Sequence, residues 1–358
     1  MSQTILDNKN EIKKLDSKNM LGSIELFSKQ IEQVWNVAKK LKIPAAYKKI
    51  DNIAVLGMGG SILGAHVIKE LFKKELAQPI EIVSHYNLPA YVNKNTLVIA
   101  SSYSGTTEEI ISAAQEAKAR KAKLIVISAG GTLAFWAKKN KIPALVFPTE
   151  FNPSNSPRMG LGYSIFGQMA MLSELKLLKI GAKEIDNIKK HIAFYEKEFG
   201  VGSPEASNPA KQFAIKLLNK TVWYVASEHL SGSVHIAANQ MNENAKRFAG
   251  YFIIPELNHH LMEGMLYPEA NKQELRFVLL ESDLYDKRVQ KRYTVTREVL
   301  TKNGINYLDY KCVEKKPLGQ VCEVLMLSSY VSFYSAMLEG IDPTAIPFVD
   351  FFKAQLKK

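Results

Sequence analysis

Residues 52–64 read NIAVLGMGGSILG, a short apolar run stopped by a glycine-rich turn that opens into a helix-like segment. The apolar residues 53–56 are too few for a buried helix and enough for a buried strand. Runs of the same kind recur outward along the chain at 80–83, 97–100, 124–127 and 144–147, with helical segments such as 108–119 and 133–139 between them. Strands that alternate with helices build βαβ units, a parallel sheet and helices on both of its faces. Upstream, Ile24, Phe27, Ile31, Val34 and Ala38 fall near helical spacing, so a helix precedes the first strand.

The rhythm then repeats. After a charged helical stretch near 183–200, the segment GVGSPEASNP (200–209) has the composition of a linker. Strands follow at 222–225, 251–254, 277–280 and 307–313, with helices at 232–247 and 286–302. The first strands of the two halves lie 169 residues apart, and TLVIASSYSG (96–105) precedes RFVLLESDLY (276–285) by 180. The expected fold class is therefore α/β: two doubly wound parallel-sheet domains, each a three-layer α/β/α arrangement. The division falls at 1–199, with a leading helix and a trailing linker helix, and 200–358, with a C-terminal helix.

Composition narrows the function. The 358 residues are 46% hydrophobic and 23% charged, which argues against a fibrous or disordered chain. Lys and Arg number 47 against 35 Asp and Glu, a net charge of +12 that draws nucleic acid, anionic membranes or phosphorylated metabolites. Most of these cations are scattered pairs such as Lys13-Lys14 and Lys357-Lys358. The one dense group, Lys287, Arg288, Lys291, Arg292 and Arg297, reads as an exposed amphipathic helix without aromatic interleaving, so nucleic acid is not expected. Cys312 and Cys322 are too few for a disulfide scaffold and form no CxxC. The opening residues lack the layout of a signal peptide and no uninterrupted apolar stretch reaches about 18 residues, so the expectation is a soluble cytoplasmic protein without membrane partners.

Two segments carry chemistry. GMGGSILG (57–64) is not a dinucleotide fingerprint, because Ile62 stands where the third glycine belongs, and it lacks the Gly-Lys-Ser/Thr of a P-loop. What remains is a tight turn whose Gly60 lets the backbone approach a ligand, with Ser61 at a helix start. ASSYSGTTEE (100–109) offers the hydroxyls of Ser102, Ser104 and Thr107 beside Gly105. With the amides of the following helix they suit a phosphate monoester. Thr106 to Glu109 also fits an S/T-x-x-E capping box, which accounts for those residues but not for Ser102 and Ser104.

GMGGS followed some forty residues on by SSYSGTTEE resembles a sugar isomerase (SIS) domain, and two in one chain resemble the phosphoglucose isomerase superfamily. The matching turn of the second half, Glu281-Ser282-Asp283, carries two carboxylates that would repel phosphate, so one site per chain is expected. Asn-Glu-Asn-Ala-Lys (242–246) and Glu-Leu-Asn-His-His (256–260) are similar to motifs of the short bifunctional phosphoglucose/phosphomannose isomerases. That resemblance implies Glu243 as the base at C2, His259 as an aid to ring opening and Arg158 as the cation that stabilises an enediolate. It also implies a ring-opening role for a lysine near the chain end, best matched by Lys353, after the family-like Asp342-Pro343-Thr344. The implied activity interconverts glucose 6-phosphate and fructose 6-phosphate, and mannose 6-phosphate too, within glycolysis and gluconeogenesis. The implied enzyme is a homodimer using neither metal nor cofactor. Two alternatives stand beside it. A non-catalytic sugar-phosphate regulator usually adds a DNA-binding module, for which roughly 45 leading residues without an obvious helix-turn-helix are too few. An amino-sugar phosphate isomerase of the synthase type would carry a glutamine-hydrolysing domain.

Overall fold

The computed structural model of the chain describes residues 5–356, so the Lys357-Lys358 pair lies outside the described residues. Its strands are β1 (Asn52–Leu56), β2 (Ile80–Val83), β3 (Thr96–Ser101), β4 (Lys123–Ser128), β5 (Ala144–Val146), β6 (Thr221–Ala226), β7 (Ala249–Ile253), β8 (Leu275–Glu281) and β9 (Tyr307–Lys311). The main helices are α1 (Phe27–Ala38), α2 (Leu63–Leu71), α3 (Glu108–Ala119), α4 (Gly131–Lys139), α5 (Ala182–Phe199), α6 (Ser231–Asn244), α7 (Lys287–Lys302), α8 (Pro317–Leu338) and α9 (Pro347–Gln355). All strand pairs are parallel, in the orders β2-β1-β3-β4-β5 and β7-β6-β8-β9. Corresponding strands hold corresponding places: β1 and β6 begin at Asn52 and Thr221, β2 and β7 at Ile80 and Ala249, 169 residues apart in both pairs. The two α/β halves thus share one topology.

Strand alternation explains how both faces of the first sheet become apolar. Ala54, Leu56, Val98 and Ala100 pack against Ile110, Ala113, Ala117 and Leu133 of α3 and α4. Their neighbours Ile53, Val55, Leu97 and Ile99 face the opposite way, toward Phe27, Ile31 and Val34 of α1 and Val67 and Ile68 of α2. That second layer does not stop at the end of the first half. The same core runs through Val234, Ile236 and Met241 of α6 to Val225 and Leu279 of the second sheet.

The element that unites the halves is α8, missed by the sequence reading. Every residue from Leu318 to Met337 is buried. By length and composition it is apolar enough to cross a membrane, yet 94% of its most apolar window lies inside the fold. A helix apolar on all sides belongs to a core, and it shows no amphipathic period to read. Polar residues on α8 and α6 pair across this core: Gln240 Nε2 donates to Ser329 Oγ at 3.0 Å, and Asn244 Nδ2 to Ser332 Oγ at 3.0 Å. Two boundaries also differ from expectation. The α6 helix ends at Asn244 rather than 247, where Lys246 turns to φ 52°, and β9 stops at Lys311 rather than 313. Val313 N instead donates to the buried Glu323 carboxylate.

Candidate active site

The two chemistry-bearing loops of the first half meet at the carboxyl ends of β1 and β3. Neighbouring β2 and β3 lie on either side of β1, so the order in which strands are added reverses at this point, the usual place for a ligand in an open α/β sheet. Ser61 ties the loops together: its hydroxyl accepts from Tyr103 N at 2.8 Å, and its carbonyl accepts from Ser101 Oγ at 2.7 Å. Gly105 adopts φ 67°, and a Cβ there would lie 1.9 Å from Gly130 O, so only glycine closes this turn.

The capping box is not formed. Thr107 occupies the N-cap of α3 with extended backbone and no side-chain cap, so the first-turn N–H groups stay unclaimed by a side chain. Thr107 Oγ1 instead meets Ser102 Oγ at 2.9 Å. An uncapped helix start with hydroxyls around it attracts a phosphate dianion. Ser104 is exposed and receives Thr106 Oγ1 at 3.0 Å, whereas Ser102 is 1% exposed and accepts from Gly105 N at 3.1 Å. Ser104 and Thr107 thus border the open end, and Ser102 braces the turn from beneath.

Arg158 is not a surface arginine of a loop. It sits in a single 3-10 turn, Pro157–Met159, and is 1% exposed. Gly60 makes this possible, since a Cβ on it would stand 2.5 Å from the Pro157 carbonyl carbon and 2.6 Å from Arg158 N. The phosphate loop is therefore the seat of the arginine's backbone. From below, the buried Gln30 of α1 receives Gly162 N at 3.1 Å and donates to Met159 O at 3.1 Å.

The guanidinium crosses to the second half, where four of its five N–H groups are engaged. Nε donates to Asn244 Oδ1 at 2.6 Å, Nη1 to Glu243 Oε2 at 3.2 Å, and Nη2 to the carbonyls of Pro343 and Thr344 at 3.0 Å each. Burial lowers its pKa, opposed by Glu243 and Asp342, but a guanidinium remains charged. Glu243 is the penultimate residue of α6 and about one-third exposed. One of its oxygens is held by Arg158, and among the described residues the other has no protein partner. A carboxylate held at one oxygen and open at the other has the form of a general base.

Asn244 was not singled out by the sequence reading, although it adjoins Glu243. It fixes Arg158 while Ser332 fixes its own amide, and only the folded chain brings residues 158, 244 and 332 together. His259 lies exposed on the short helix Leu257–His260, beside a His260 that pairs with Glu256 at 2.6 Å. Lys353 is exposed on α9. Among the described residues neither His259 nor Lys353 makes a hydrogen bond or ion pair with Glu243 or Arg158.

Comparison with known proteins assigns this arrangement to a family. Residues 206–356 match the bacterial phospho-glucose isomerase C-terminal SIS domain and residues 46–138 match the SIS domain. The chain is 30% identical over 343 residues, 94% of its length and 98% of the relative's, to the bifunctional phosphoglucose/phosphomannose isomerase of Caldicellulosiruptor bescii. It belongs to the bifunctional phosphoglucose/phosphomannose isomerase family. A second family member, from Aquifex aeolicus, is 30% identical over 342 residues, covering 94% of this chain and 97% of that one. The fold is that of a hypothetical protein from Thermus thermophilus, at TM-score 0.74, 17% identity and coverage of 98% and 93%. As a member of that family, the chain is an isomerase with paired SIS-type halves.

Proposed function

We propose that the chain interconverts glucose 6-phosphate, mannose 6-phosphate and fructose 6-phosphate through an enediolate. The observation that carries this reading is the Arg158–Glu243 pair, whose arginine backbone rests on the glycine of the phosphate loop. The phosphate would lie at the open start of α3, against Ser61, Ser104 and Thr107, with Ser102 and Gly60 shaping the turn beneath. The sugar then extends toward the seam between the halves. Glu243 removes the C2 proton of the open-chain aldose and returns it at C1. Charge developing on the two oxygens is met by Arg158, held in place before the reaction begins. A mannose substrate requires the enediolate to turn about C2–C3, so that one carboxylate serves both C2 configurations. No metal or cofactor enters this scheme.

Ring opening falls to His259 and Lys353. That neither bonds Glu243 or Arg158 among the described residues supports a homodimer in which a second copy completes the site. The α9 helix that carries Lys353 has no buried residue, and Phe348, Phe351 and Phe352 are 86%, 64% and 61% exposed. Such a row of rings is what a covered helix presents. We place the enzyme in the cytoplasm, within glycolysis and gluconeogenesis. The test is an assay of the purified protein on glucose 6-phosphate and mannose 6-phosphate, with and without chelator. Turnover of both, unchanged by chelator and lost with unphosphorylated glucose, supports the reading. Absence of turnover on either 6-phosphate overturns it.

A further inference from the structure

Lys246, three residues beyond Glu243, has no part in the reading above. It occupies the position after the end of α6 at φ 52°, where helices favour glycine because a side chain is strained there. Its stem is exposed, yet its ammonium turns back onto the protein: Nζ donates to Asp342 O at 2.6 Å and to Asn244 O at 3.1 Å. Both acceptors are backbone carbonyls that adjoin the cage around Arg158 without touching it. Asn244 holds Nε of the guanidinium, and the two carbonyls after Asp342 hold its Nη2.

The turn at 342–344 is therefore gripped from two sides, at one carbonyl by Lys246 and at the next two by Arg158. Its remaining ties are weaker in charge. Asp342 Oδ1 accepts from Thr344 N at 2.7 Å and Oδ2 from Ser17 Oγ at 2.5 Å. Beyond the turn the chain runs into α9 and Lys353. We infer that Lys246 is a positioning residue for the proton transfer, an ammonium strap that holds the 342–344 turn against the end of α6 and so keeps Arg158 aligned on Glu243. The inference rests on the isomerase reading and adds a residue to it.

The charged groups facing the strap are Arg158 from the 3-10 turn, Glu243 from α6 and Asp342 from the turn itself, with Asp16 behind Asp342. Burial, and then Arg158, press the Lys246 ammonium down from its usual 10.5 to about 8. The charge-assisted bonds are thus complete below that pH and weaken as pH rises through it.

Lys246→Gly separates this role from a structural one, because glycine suits the backbone better than lysine does and removes the amine. At neutral pH kcat is expected to fall at least about tenfold with KM within about twofold, since misalignment acts on the reacting geometry. Tm stays level or rises. Wild-type kcat is expected to decline as pH rises through about 8, this decline to be absent from Lys246→Gly, and Lys246→Arg to recover most of kcat and move the decline above about pH 10. The inference is overturned if Lys246→Gly keeps kcat within about twofold, if it loses Tm in place of kcat, or if it follows the wild-type alkaline limb. An active Lys246→Gly beside an inactive Glu243→Gln overturns the strap alone. A wild type inactive on every 6-phosphate overturns the isomerase reading itself.

Discussion

The loops at the carboxyl ends of β1 and β3 and those after β6 and β8 occupy equivalent places in the two halves, yet one set is open and the other is plugged. In the first, Thr107 leaves the start of α3 uncapped. In the second, Asp286 caps α7 by accepting from Arg288 N at 2.8 Å. Beside it, Gln320 of α8 fills the turn, meeting His229 Nε2 at 2.7 Å and Ser282 Oγ at 2.6 Å, with Tyr285 against the His229 ring. The carboxylates of Glu281 and Asp283, which from sequence would repel phosphate, are paired with Arg297 and Lys311. Closure of the second half thus comes from a cap and a plug more than from bare repulsion. Duplicated topology sets where a ligand can bind, and a few side chains decide in which half it does.

The contrast can be broken at its centre first. Arg158→Met should lower kcat by about 10²–10³-fold, because a preorganised cation is lost where charge develops. It should also destabilise the fold, since Glu243 and Asn244 lose their partner. Arg158→Lys should fall between, one ammonium being unable to serve four acceptors. A kcat for Arg158→Met within about tenfold of wild type would detach the arginine from the chemistry.

Next in size is a change that makes the first half resemble the second. Thr107→Asp installs the carboxylate cap that Asp286 supplies to α7. KM for glucose 6-phosphate should rise at least about tenfold through repulsion of the phosphate. Stability should hold or rise with the new cap. Steady-state kinetics beside thermal melts read both, and an unchanged KM would show that the phosphate does not use this helix start.

The reverse change is the mildest. Asp286→Ala uncaps α7 at a residue that makes no hydrogen bond or ion pair with Glu243 or Arg158 among the described residues, and should leave kcat and KM within about twofold. Its effect is on stability, with a definite pH dependence. Bonds to Arg288 hold the Asp286 carboxyl near about 2, below its usual 3.8, so its contribution is full above that usual value and fades as pH falls toward 2. Melts of wild type and variant should therefore differ near neutrality and converge in acid. A constant gap would assign the loss to something other than the ionised cap.

Much of this architecture is written in short-range pattern. Strands of a parallel sheet are apolar on both faces, so residues such as 53–56 and 124–127 mark β1 and β4 to within a residue or two of their ends. What escaped the sequence is long-range or aperiodic. The α8 helix is buried all round and so has no period to detect. The burial of Arg158 has no local signature, because the acceptors that hold it lie at positions 243, 244, 343 and 344. The Thr106–Glu109 pattern promised a capping box, but Thr107 turned its hydroxyl to Ser102. Short motifs single out Glu243, whereas its place beside Arg158 and the support from Asn244 and Ser332 exist only after the halves close on each other.

The central claim, that Glu243 at this seam moves the proton, is tested most directly by solvent exchange. Glucose 6-phosphate incubated with enzyme in deuterium oxide should exchange its C2 hydrogen, followed by proton NMR. Glu243→Gln should slow that exchange by about 10³-fold while retaining the wild-type fold. Exchange at the wild-type rate in the glutamine variant would contradict the account.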